Sequence, residues 1–179
     1  RDHFDFHGDF ESYFQAKRRL FAQLSPGGWA CVNVDDAYGR RLRDELPGGE
    51  TRVMTFGVGG DVRAEAVQLD ERGLRGTILT PRGPLRFEST LLGRYNLDNL
   101  LAAVAVGEAL ELPHAAIADG LRQRGPLPGR LEPVVAGQEF PALVDYAHTD
   151  AALTAALTSV REFSSRKILL VFGCGGDRD

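Results

Sequence analysis

Phe10, Tyr13, Phe14, Leu20, Phe21 and Leu24 recur at helical spacing, and Asp9 stands where its carboxylate can cap the first turn. This predicts a helix over residues 10–24, stopped by the Ser-Pro-Gly-Gly run at 25–28. WACVNVD (29–35) is compact and largely apolar and predicts a strand. DDAYGRRLRDEL (35–46) predicts a helix whose leading carboxylates suit the positive end of the helix dipole. Over residues 51–92, the segments RVMTFGV, VRAEAVQLD, LRGTILT and PLRFESTLL are β-branched or alternating. Gly- and Pro-rich breaks separate them, the pattern of an antiparallel meander. Helices are predicted over 97–111 and 114–124. RGPLPGR (124–130) then has the punctuation of an interdomain linker. Beyond it ALVDYA (142–147), a helix over 149–163 and KILLVF (167–172) repeat a strand, helix, strand order, which predicts a parallel sheet flanked by helices. The fold class is α/β.

At 179 residues, 43% of them hydrophobic, the chain can bury one good core, or one domain and part of another. The formal charge is −4 with acids and bases interleaved, so there is no basic face for a nucleic-acid backbone. No apolar stretch reaches the roughly 18 residues of a membrane span, and RDHFDFHG at the start has no secretory pattern. The expectation is a soluble, cytoplasmic, monomeric protein without nucleic-acid or membrane partners. Cys31 and Cys174 lack metal-ligand spacing and fit a reducing compartment. Met54 is the only methionine, and the chain is expected to be a piece of a longer one.

Lys17 falls on the apolar stripe of the first helix, seven positions after Phe10. Its stem can pack while its amine reaches water. Alternatively, partial burial leaves a free amine that captures carbon dioxide as a carbamate, a long-stemmed carboxylate suited to Mg²⁺. His3 and His7 flank a turn that Gly8 and Asp9 keep from being helical, so they need not share a face. Each is polar surface or a metal ligand. Asn96 and Asn99, three apart at a helix start, can project to one side. Asn96 can be an N-cap, or the two amides can meet an adenine edge. Arg130, in the linker, is a solvated charge or a phosphate clamp between domains. Asp145 ends a strand, with Tyr146 and His148 in the turn before a helix that Thr149 or Asp150 can cap. Ligands of open α/β sheets gather at that edge. FGCGGDRD (172–179) follows a strand with glycines but has no Lys-Ser/Thr after them, and Cys174 has no partner cysteine for a metal.

In this order, the Asp2-His3 pair, QAK (15–17), GRYNLDN (93–99), PGR (128–130), DYAHT (145–149) and FGCGGDRD resemble the Mur ligases of peptidoglycan synthesis. The forms DYAHT and FGCGGDRD are similar to the MurE type, the UDP-N-acetylmuramoyl-tripeptide synthetases. The resemblance runs the length of the chain. It implies that residues 1–128 are the latter part of a central ATPase domain, a mixed sheet with helices and a meander. Residues 129–179 are then the first part of a Rossmann-like C-terminal domain.

The activity so implied uses ATP and Mg²⁺ to join meso-diaminopimelate or L-lysine to UDP-MurNAc-L-Ala-D-Glu through an acyl phosphate. The same resemblance makes His3 a Mg²⁺ ligand and Lys17 a carbamylated support for a second Mg²⁺. It puts Asn96 and Asn99 beside adenine, Arg130 on the terminal phosphate and Asp145 on the ribose. Tyr146 and His148 come beside the nucleotide, and Lys17, Arg130 and His148 are the candidates for catalysis. Asp150 replaces a proline common in the family after DYAHT. An aspartate in the first helical turn favours the dipole, so little consequence is expected. No G-x-G-K-[ST] phosphate loop occurs in these residues, and by themselves they are expected not to ligate. The rival readings are a folylpolyglutamate or cyanophycin synthetase-like ligase and a non-catalytic scaffold.

Overall fold

The computed structural model describes residues 9–46, 51–123, 125 and 127–173. Asp9 caps helix α1 (Phe10–Phe21), its carboxylate accepting from the Ser12 N–H at 2.7 Å. Strand β1 (Trp29–Asn33) leads into helix α2 (Ala37–Glu45), capped by Asp36, which accepts from the N–H groups of Tyr38 and Gly39. Strand β2 (Arg52–Phe56) returns parallel to β1, with Trp29 opposite Arg52 and Asn33 opposite Phe56. This corrects the expected meander, because a crossover through α2 brings the chain back in the same direction. The antiparallel sheet has three strands: β3 (Arg63–Asp70), β4 (Gly73–Thr80) and β5 (Gly83–Ser89).

Helix α3 (Arg94–Ala109) is the centre of the molecule, and α4 (His114–Gln123) lies against β5. Leu97, Leu100, Leu101, Val104 and Ala105 of α3 are buried against Met54 and Phe56 of the parallel pair, Ile78, Leu85 and Phe87 of the meander, and Ile117 and Leu121 of α4. Covered from several directions, α3 reads as apolar almost all round. A second cluster joins Phe14 of α1 to Ala30, Val32 and Leu42. At the far end of α3, Glu108 is 4% exposed and receives two hydrogen bonds from Arg82, at 2.7 and 3.1 Å, with His114 Nε2 2.6 Å away. That network pins the β4–β5 turn to the α3–α4 corner.

Beyond the linker come β6 (Glu132–Val134), β7 (Ala142–Val144) and α5 (Asp150–Phe163), with Thr149 as the cap. Here the structure departs from the expected parallel sheet. Strand β7 pairs antiparallel with β6, Glu132 facing Val144, and residues 167–172 join no ladder among the described residues. An apolar run becomes a strand only where a neighbour offers its N–H and C=O groups, and here Val171 stays 97% exposed. Leu92, Leu131 and Ala156 are the buried members of a third cluster, which Tyr95, Leu143, Val160 and Phe163 complete. This cluster seats α5 on the start of α3.

Candidate functional site at the domain junction

Residues predicted from distant parts of the sequence meet where α3 begins. The N-cap of α3 is Gly93, at φ +86°, so Asn96 lies inside the first turn and is not the cap. A Cβ on Gly93 would stand 2.9 Å from Leu131 Cδ1 and 3.1 Å from Ser159 Cβ, so only glycine lets the linker and α5 approach this closely. Asn96 is 1% exposed and spends its amide internally. Its Nδ2 donates to the Leu92 carbonyl at 2.7 Å, and its Oδ1 accepts from Asn99 Nδ2 at 3.1 Å. The two asparagines do share a side, as their spacing predicts, but Asn99 is the exposed member with surface to offer a ligand.

Asp145 is the node of the junction. Its Oδ2 accepts from the Leu131 N–H at 2.8 Å and the Tyr95 hydroxyl at 3.3 Å, and its Oδ1 accepts from the Ala147 N–H at 2.8 Å. Burial and then the negative charge of Asp145 push the Tyr95 phenol well above the ordinary tyrosine range, so it remains a donor at neutral pH.

Around this node the linker is held by its backbone. The Tyr146 N–H donates to the Gly129 carbonyl at 2.8 Å, Gly129 N–H to the Glu132 carboxylate at 2.8 Å, and Arg130 N–H to the Leu127 carbonyl at 3.0 Å. The Arg130 side chain is exposed and close enough to Tyr95 to oppose part of that pKa rise. Tyr146 is exposed, its ring edge-on to His148 at 5.2 Å, and His148 Nδ1 lies 3.0 Å from the Tyr146 carbonyl. Arg130, Asp145, Tyr146, His148 and the Asn96–Asn99 pair thus belong to one junction. Tyr95 and Leu131 belong to it as well. Tyr95 stood within GRYNLDN, yet only the packing reveals its hydroxyl's partner.

Lys17 is placed differently. The face of α1 turned to the core is that of Phe14, with Phe21 and Leu24 partly covered beside it. Lys17 shares a side with Leu20, 68% exposed, and with Tyr13, whose ring centroid lies 5.3 Å from the ammonium. It is exposed, so the expected packing of its stem into the core does not occur. Among the described residues, no three His, Cys, Asp or Glu side chains stand together as a metal site. Mg²⁺ takes oxygen ligands, so the exposed Lys17 would fit it only as a carbamate. His3 and His7 lie outside the described residues, as does Cys174. Cys31 is half-buried, and burial raises its thiol pKa, which disfavours the nucleophilic thiolate.

The profile of the Mur ligase middle domain matches residues 1–107, and that of the Mur ligase glutamate ligase domain matches residues 129–179. The chain belongs to the Mur ligase family. It is 46% identical, over its whole length, to the UDP-N-acetylmuramoyl-L-alanyl-D-glutamate--2,6-diaminopimelate ligase of Geobacter metallireducens, and covers 36% of that protein. A solved structure of a ligase of that name is 30% identical over 100% of this chain and 37% of the other, with a TM-score of 0.75. MurF from Acinetobacter baumannii superposes with a TM-score of 0.81 at 25% identity, over 90% of this chain and 35% of the other. Folylpolyglutamate synthetase from Lactobacillus casei, at 17% identity and a TM-score of 0.72, over 89% of this chain and 42% of the other, shares the fold. This stretch of a Mur ligase therefore spans a little over a third of the relatives it matches. Among its described residues, no helix is long and apolar enough to cross a membrane.

Proposed function

We propose that the protein containing this chain is an ATP-dependent, cytoplasmic ligase that adds the third amino acid of the peptidoglycan stem to UDP-MurNAc-L-Ala-D-Glu. The 46% identity to a 2,6-diaminopimelate ligase favours diaminopimelate over lysine. It also favours this reading over a folylpolyglutamate-type ligase. The domain boundary is proposed between residues 128 and 129.

The observation that carries the reading is the convergence of Arg130 and the Asp145 node at the seam between the two domains. In the proposed reaction the substrate carboxylate attacks the γ-phosphorus of ATP and ADP leaves. The incoming amine then attacks the acyl carbon, phosphate leaves, and the amine's surplus proton passes to solvent. Such steps need donors and positive charge placed on phosphate oxygens more than they need acid–base groups. Arg130 would meet the terminal phosphate as a bidentate donor. Asp145 would accept from the ribose, with Tyr146 and His148 beside it. Adenine would fall to Asn99, oriented by Asn96, because the Asn96 amide is already engaged. His3 and a carbamylated Lys17 remain the proposed Mg²⁺ supports.

The test is direct. The full-length protein, given ATP, Mg²⁺, UDP-MurNAc-L-Ala-D-Glu and meso-diaminopimelate, is expected to release phosphate and UDP-tripeptide in equal amounts, and L-lysine is expected to be the poorer substrate. No product with either amino acid overturns the reading.

A further inference from the structure

We propose that Tyr95 is a positioning residue: through the Asp145 carboxylate, its hydroxyl latches the linker in the backbone conformation that fixes where Arg130 stands between the domains. The latch deepens the ligase reading, and only its last step, from Arg130 to phosphate, rests on it.

Leu131, next to Arg130, has φ +43°, in the left-handed region that branched and bulky side chains avoid. Its side chain is only 3% exposed, wedged in the space that Gly93 leaves by having no Cβ, so it cannot relax by swinging into water. Such a conformation persists only where its surroundings over-determine it, and strained positions of this kind gather at switch points. What holds Leu131 is its N–H bond to Asp145 Oδ2, the same oxygen that receives the Tyr95 hydroxyl.

Three chain segments therefore meet on one carboxylate. Tyr95 brings α3, Leu131 brings the linker, and Ala147 brings the turn into α5. On the linker side, the backbone is tied at Gly129, Arg130 and Leu131, leaving the Arg130 side chain free to be aimed by the path of its own main chain. The hydroxyl contact at 3.3 Å is longer than the two amide contacts at 2.8 Å. It is also the one contact of the three that runs from the middle domain. It therefore ties Asp145 to α3, and without it Asp145 loses the anchor that aligns it with Leu131.

The test is Tyr95→Phe in the full-length protein, which removes one oxygen and keeps the ring in its apolar cluster. Hydrogen exchange measured by mass spectrometry is expected to quicken about three- to tenfold over residues 127–134, the change expected for one hydrogen bond. Residues 63–89 of the meander are expected to exchange as in the parent. In the ligase assay kcat is expected to fall by more than KM for ATP rises, since the Arg130 charge counts most as phosphate charge develops, while Asp145 would meet the ribose equally in ground and transition state. Unchanged exchange over 127–134 overturns the latch, and so does an equal quickening over 63–89, which would make Tyr95 a general stabiliser. Local quickening with unaltered kcat overturns the positioning of Arg130. Local quickening in the variant, with a parent that makes no UDP-tripeptide, supports the latch and overturns the ligase reading alone.

Discussion

The Tyr95 hydroxyl donates to Oδ2 of Asp145 at 3.3 Å, joining residues 50 positions apart across the seam between two domains. The folded state therefore favours the neutral phenol, first through burial and then through the carboxylate's charge. The folded pKa is raised above the unfolded value of about 10, so the associated stability is complete below that pH and is lost as pH rises beyond it. Difference absorbance titration of the parent against Tyr95→Phe should show one phenolate forming later than an ordinary tyrosine. Denaturant midpoints should fall more steeply above pH ~10 in the parent than in the variant.

Gly93 carries the closest approach at the seam. Gly93→Ala would set a Cβ 2.9 Å from Leu131 Cδ1 while holding alanine at φ +86°. A loss of about 2–3 kcal/mol is expected, from strain and overpacking together. Urea unfolding checks it. A midpoint equal to the parent's would show that α5 and the linker can move aside at no cost.

Glu108, at the far end of α3, is the buried charge among the described residues. Its burial alone would raise its pKa, but hydrogen bonds from Arg82, His114 and Thr80 outweigh that and lower it. The stability so linked is present above the ordinary glutamate pKa of about 4.3 and is lost as pH falls through the lowered folded value. Arg82 and His114 are partly exposed and can turn to water, so Glu108→Ala is expected to cost about 1–3 kcal/mol, the loss of charge-assisted hydrogen bonds at a buried carboxylate. Thermal unfolding at pH 7 should show it, and the variant should lose less stability than the parent below pH ~4, because Asp9, Glu11 and Asp70 keep their lowered pKa values.

Lys17 separates a structural role from a functional one. It is exposed and anchors nothing in the core, so Lys17→Ala should leave stability within about 0.5 kcal/mol of the parent. If it carries a carbamate in the full-length ligase, turnover should fall on the order of 10²-fold. Lys17→Arg should not restore it, because a guanidinium stays protonated and captures no carbon dioxide. Normal turnover in Lys17→Ala, with no response to added bicarbonate, would remove Lys17 from the mechanism.

Local physics made much of this legible in the chain. Asp9 and Thr149 cap helices because a short oxygen side chain before an amphipathic run has little else to do there, whereas Asp36, expected within the first turn, caps its helix from outside; the Gly- and Pro-punctuated segments over 63–89 form the expected meander. The ordered motifs from QAK to DYAHT carried the family. What the sequence could not decide was everything that depends on a partner distant along the chain. Strand β2 looked like a meander strand until α2 carried it back beside β1, and KILLVF looked like a strand although no described neighbour offers it a ladder. Lys17 lay on the apolar stripe, but only packing determined that Phe14 would face the core. By their chemistry Asn96 and Asp145 read as ligand contacts. Only tertiary structure shows that the Asn96 amide is engaged within the protein and that Asp145 also holds the linker, because hydrogen-bonding capacity is satisfied in three dimensions and leaves no mark on spacing.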